Sequence, residues 1–237
     1  MDEMMRQIIE DALITFRQEA ANLLIISAPA MLLGPILIII ADSGLTAALI
    51  TLPLFLLLYL ATYAACVRAA GFIVSNLAPD AGMAYLYVLS GWRDILRVGA
   101  SGVLLLALIL GGALVIGTYV SGLLGLALSA LAIVAFLVWA AQHAFDQPLV
   151  LVYGASAEEV LHGESSRISR DYLLWALILL AAISSPLFVA ALVSWGLALA
   201  IAPSFGGAVF AMAVGAWLPL PALCLTTACS RAVEAPA

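Results

Sequence analysis

One short stretch of the chain concentrates side chains able to do chemistry: Gln142-His143-Ala-Phe-Asp146-Gln147-Pro148. His143 and Asp146 stand three apart, so on a helix they share a face and can hydrogen-bond. An imidazole beside a carboxylate can relay a proton or hold a cation. A second reading is structural. Placing Asp146 at the centre of a bilayer costs ~2.5–3.5 kcal/mol on insertion scales, and the chain avoids this by ending a helix near His143, with Pro148 marking the break. An elbow of that kind needs the same residues and performs no reaction. The other histidine, His162, reads as solvated.

The remaining motifs exclude more than they offer. Cys66, Cys224 and Cys229 form no CxxC pair and sit among apolar neighbours, so they read as small buried thiols, with no disulfide framework, metal site or cofactor implied. Glu158-Glu159-Val-Leu-His162 has the look of a double-glutamate intramembrane protease motif, but no downstream histidine completes it. There is no Gly-x-Ser-x-Gly elbow and no His-Glu-x-x-His pair. No catalytic residue is assigned.

Composition sets where these residues must work. Of 237 residues, 66% are hydrophobic and 9% are charged, far below the ~25% charged of a soluble domain. Apolar runs of bilayer-crossing length recur along the chain. Net charge is −6, and all eight cations are arginines. That balance argues against nucleic acid as a partner, and without lysine there is no P-loop.

The expected architecture is all-α and polytopic: one integral membrane domain over 1–237, with six spans near 20–41, 46–67, 97–118, 122–144, 172–195 and 205–229. Residues 98–141 carry no charge, so two spans must share them, turning near Gly117–Gly122. Arg6, Arg17, Arg68, Arg93, Arg97, Arg167, Arg170 and Arg231 all fall on one side of this topology. The opposite turns, near Ala41–Leu45, Tyr119–Gly122 and Gly196–Ser204, contain none. The positive-inside rule then makes the arginine side cytoplasmic, with both termini inside the cell membrane.

A period accompanies this register. Arg17, Arg93 and Arg170 precede the odd-numbered spans at spacings of 76 and 77 residues, the latter two followed by Asp94 and Asp171. They read as interfacial anchors, the guanidinium snorkelling toward phosphate beside a carboxylate. Each is preceded by a segment that suits an amphipathic helix lying along the membrane. In the first, 1–19, Met5, Ile8, Ile9, Ala12, Leu13 and Phe16 make the apolar stripe. The second runs from Asp80 to Arg93, and the third opens on Ser156-Ala-Glu-Glu159, a capping-box spacing. The expectation is three repeats, 1–76, 77–153 and 154–237, each an interfacial helix followed by a transmembrane hairpin.

Helices in lipid associate through close van der Waals packing. Gly207, Ala211 and Gly215 form a small face at i, i+4, i+8, suited to packing within the chain, to a homodimer or to another membrane subunit.

The stretch Phe145-Asp-Gln-Pro148-Leu-Val-Leu-Val152, Ala157-Glu-Glu-Val-Leu161 and Ser165-Ser-Arg167-Ile-Ser-Arg170 resembles a broad group of bacterial and archaeal six-helix membrane proteins. In that group the same module stands alone or ahead of glycerophosphodiester phosphodiesterase domains. The opening helix, with Phe16 and Asn22, is also similar, while Gly163-Glu164 depart from the pattern. The resemblance implies architecture over nearly the whole chain and carries no catalytic residue.

These readings lead to a non-enzymatic membrane protein, a transport-type or scaffold subunit whose partners are lipids and other membrane proteins. Its few embedded polar groups (Asn22, Ser27, Thr62, Ser184, Ser185, Ser194) would line only an apolar or lipid-like path. Two alternatives stand beside it: the permease half of an ATP-driven transporter, and an intramembrane enzyme using His143 and Asp146.

Overall fold

A computed structural model describes residues 2–99, 131, 143, 145–161, 185–187 and 189–234. Among them every regular element is helical: α1 (Asp2–Ala41), α2 (Leu45–Val74), α3 (Ala81–Ser90), α4 (Asp146–Leu151), α5 (Ala157–Leu161), α6 (Ser185–Ala200), α7 (Pro203–Trp217) and α8 (Pro219–Glu234), with a further helical stretch over 92–99. Three stretches are long and apolar enough to cross a membrane: Arg6–Ala41, Thr46–Val74 and Pro203–Arg231. They coincide with the expected first, second and sixth spans. The expected third and fourth spans, and most of the fifth, lie outside the described residues.

The boundaries differ from expectation in three places. First, α1 runs unbroken for 40 residues, about 60 Å at ~1.5 Å per residue, so the expected interfacial segment 1–19 and the first span are one helix. The apolar stripe explains the continuity. Ile8 and Ala12 are buried and Ile9 and Phe16 pack on the core, so the stripe is satisfied by protein, with Leu13 left exposed. Second, α2 continues past residue 67 to Val74. It ends in a Schellman motif, with Asn76 at φ 57° and bonds from Asn76 N to Ile73 O (2.9 Å) and Leu77 N to Phe72 O (2.8 Å). Third, α6 continues past the expected end of the fifth span at 195 to Ala200, and the chain turns at Ile201–Ala202, inside the expected turn Gly196–Ser204.

Interhelical contacts set the helix directions. Gly207 of α7 lies beside Ile38 of α1, and Gly215 lies against Ala30 and Met31. Further along, Arg231 of α8 donates to Asp11. Chain numbers fall on one side as they rise on the other, so α1 runs antiparallel to α7–α8. Tyr59 of α2 donates to Ala30 O (3.3 Å) and to Ala211 O, whereas Tyr85 joins Ile26 O (2.7 Å) to Thr62 Oγ1 (3.4 Å). This makes α1 antiparallel to α2 as well. The start of α1 and the ends of α2 and α8 therefore share one end of the bundle, and Arg6, Arg17, Arg68 and Arg231 sit toward it. At the other end the chain turns through Asp42–Gly44 and Ile201–Ala202. There Gly44 takes φ 151° as the N-cap of α2, a conformation side chains disfavour.

The core between α1, α2 and α8 is built from Leu23, Ile26, Ala64, Val67 and Ala222, all buried. Tyr59 crosses it to two backbone carbonyls on α1 and α7. Since each carbonyl also serves its own helix, losing the phenol costs only a net hydrogen-bond increment. Tyr59→Phe is expected to lower stability by about 1 kcal/mol, read as a small drop in thermal midpoint in detergent. A loss of several kcal/mol would mean that the hydroxyl holds the three helices together.

Candidate functional site

The polar elbow forms on α4, at the arginine-bearing end. Phe145 precedes the helix, and Asp146 occupies its first turn, where the helix dipole favours a carboxylate. Backbone bonds from Asp146 N to His143 O (3.2 Å) and from Leu149 N to Phe145 O (2.9 Å) hold the local geometry. They bring His143 Nδ1 to 2.5 Å from Asp146 Oδ2. The aspartate is 1% exposed and the histidine 32%. This is an imidazole open to the surface, oriented by a carboxylate that is not. Such a pair can pass a proton between solution and the protein interior; it also serves as a helix-start lock. Gln147, the next residue, packs its amide near Gly99, and its Oε1 is buried with no hydrogen-bond partner. Gln142 lies outside the described residues.

The pair's stability role has a direct test. His143→Ala leaves the Asp146 carboxylate buried without this donor, a change that costs ~3–5 kcal/mol for a fully buried pair. Because the imidazole is a third exposed, water recovers part of this, and about 2 kcal/mol is expected. Asp146→Asn removes the charge itself and should cost less. Thermal melts of the two variants check the order, and a milder effect in His143→Ala would contradict it.

Sequence reasoning missed Arg68. Its Nη1 donates to Leu151 O at 2.7 Å, the last carbonyl of α4. Its guanidinium also lies over two rings, 3.9 Å from the Tyr87 centroid and 4.8 Å from that of Phe72. Next to it Gly71 faces Val152, with no room for a Cβ. One cation thus ties α2, α3 and α4. A sequence signal was present in the aromatics flanking Arg68, at Phe72 and Tyr87. Nothing local, however, points to Leu151, which lies 83 positions away.

The other expected residues are distributed differently. Arg17 and Arg93 are exposed and Asp94 is half-buried; Arg170 and Asp171 lie outside the described residues. Among the described residues, ion pairs joining separate elements include Arg231 with Asp11, and Arg97 with Glu158 at 3.8 Å. Both stand at the end already marked by Arg68. Gly215 and Ala211 pack within the chain: Ala211 is 2% exposed, and a Cβ on Gly215 would lie 2.8 Å from Met31 N. Among the described residues no group of three or more His, Cys, Asp or Glu is placed to hold a metal.

No family model, no curated protein and no solved structure matches this chain. Its function is argued from its own residues.

Proposed function

We propose that the chain is a six-span integral protein of the cell membrane with both termini in the cytoplasm. It acts without catalysis, as a transport-type or scaffold subunit that handles lipid-like substrate or packs with partner membrane proteins. The observation that carries the reading is where five of the polar side chains among the described residues point. Tyr59, Tyr85 and Arg68 donate to backbone carbonyls of neighbouring helices, and Ser27 and Thr51 donate to carbonyls of their own. In lipid such groups must be satisfied inside the protein, and used in this way they brace helices. The outward surfaces are correspondingly apolar, with Leu32, Leu49, Leu192 and Leu199 all exposed. The gathering of arginines at one end supports the orientation. The likeness of the Phe145–Arg170 stretch to the six-helix group adds architecture to the same reading.

Purification of the full chain into lipid nanodiscs, followed by native mass spectrometry, tests it. The expected result is a complex that retains lipid or other integral membrane proteins. A stoichiometric ATPase would favour the permease alternative. A lipid-directed activity lost in the His143→Ala, Asp146→Asn double variant, with folding intact, would replace the proposal with the enzyme reading.

A further inference from the structure

The short helix α3 is apolar on two opposite sides, and only one of them is used by the protein. Ala84 and Val88 are buried, and Tyr85 reaches inward to Ile26 O and Thr62. Burial raises the Tyr85 phenol's pKa above its ordinary value, so it keeps the proton it donates. The other side presents Met83, Leu86 and Leu89, each more than half exposed. At i, i+3 and i+6 they fall within one arc of about 120° on the helix; Trp92, also exposed, follows after Gly91 at the start of the next helical stretch.

The contacts of α3 fix its depth. Ile26 belongs to the charge-free run of α1 that begins at residue 20, and Thr62 to the charge-free run of α2 that ends at Val67. Arg68, the first charge of α2, lies against Tyr87 of α3. The helix therefore sits beside the last apolar turns of two spanning helices, level with the boundary that Arg68 marks. On α1 at that level, Leu24 and Ile25 are exposed, so the outward apolar surface of the bundle continues onto α3. At ten residues α3 is too short to cross. Just past its C-cap at Gly91, Trp92 and Arg93 are residue types that settle at headgroup level.

We propose that α3 is embedded in the cytoplasmic leaflet, with Met83, Leu86 and Leu89 seated among acyl chains and Trp92 and Arg93, just past its end, at headgroup level. The occupant of this face is lipid. Asp80 caps the helix, accepting from Met83 N at 2.7 Å. This inference rests on the reading that α2 crosses the bilayer, and the test separates the two.

Single cysteines at Leu86, Leu89, Leu57 and Asn76 are labelled with an environment-sensitive fluorophore in the full chain, which is then reconstituted in phosphatidylcholine vesicles. The three native cysteines are buried, which keeps background labelling low. Nitroxides on the acyl chains are expected to quench labels at 86 and 89 several-fold more than iodide does, a shallow insertion of ~5–10 Å. Asn76 should show the reverse. Labels at 86 and 89 that respond to iodide and ignore the nitroxides would overturn the proposal, as would labels reached by neither quencher, which would mean that a protein covers the face. The exposed mid-span Leu57 is the control. Lipid quenching there with none at 86 and 89 refutes the α3 proposal alone, whereas failure at all three refutes the spanning reading.

Discussion

Replacing Gly215 with leucine is expected to remove the folded protein from detergent extracts, because no side chain fits between α7 and α1 there. A Cβ at this position would lie 2.8 Å from Met31 N and 3.0 Å from both Ala30 C and Met31 Cα. All three are backbone atoms of a helix, so no rotamer change relieves the clash and α1 itself must move. Overpacking a tight interface costs ~1–3 kcal/mol for extra methylenes. Parting two helices along their contact forfeits the van der Waals packing on which association in lipid depends, and a loss of more than about 3 kcal/mol is expected. Even Gly215→Ala should be clearly destabilising. Gly207, on the same stripe, supplies the control. Its Cβ would meet only a side-chain methyl, Ile38 Cγ2, at 3.0 Å, and no backbone, so Gly207→Ala should be tolerated within about 1 kcal/mol. Size-exclusion profiles and thermal melts check the contrast. Equal behaviour of Gly215→Ala and Gly207→Ala would mean that α1 and α7 are not held at this contact.

Arg68→Ala is expected to be the second most damaging change, at about 3 kcal/mol. A hydrogen bond from a charged donor contributes ~1.5–3 kcal/mol, and each cation–aromatic contact adds ~0.5–1 kcal/mol when partly exposed. The terms share one side chain and do not simply add. Loss of the donor also leaves Leu151 O, a last-turn carbonyl with no partner inside its own short helix. Arg68→Lys keeps the charge but not the planar fork that donates to Leu151 while lying on two rings, so it should restore less than half of the loss. Arg68→Met fills similar volume without a donor and should resemble alanine. A thermal midpoint unchanged in Arg68→Ala would remove the guanidinium from the account of how α4 is held. Because α4 carries Asp146, protection of the His143–Asp146 segment from hydrogen exchange should fall in the same variant.

The start of α1 shows where local signals stop. The 1–19 stripe is legible as an amphipathic helix because its period of 3.6 is written in Ile8, Ala12 and Phe16. What covers the stripe is not written there, since lipid and protein present the same apolar chemistry. The surface that covers it comes from Ala70, Leu223 and Cys229, more than fifty positions away. The break expected after residue 19 has no physical cause once that surface is in place: there is no proline or glycine from Asp2 to Ala28, and helix continues wherever nothing stops it.

The sequence by itself determined three apolar helices of membrane-crossing length, because desolvating charge in hydrocarbon is costly at any position and leaves a mark in composition. Their spacing of three also put His143 and Asp146 within reach of each other, although they meet across the turn that precedes α4 and not on one helix face. Only the tertiary structure decided that Arg68 serves the end of α4, that Asp11 and Arg231 are partners, and that Gly215 lies against the backbone of α1. Those facts depend on which surfaces meet, and contacts made by short-range forces between distant segments leave no periodic trace in the chain.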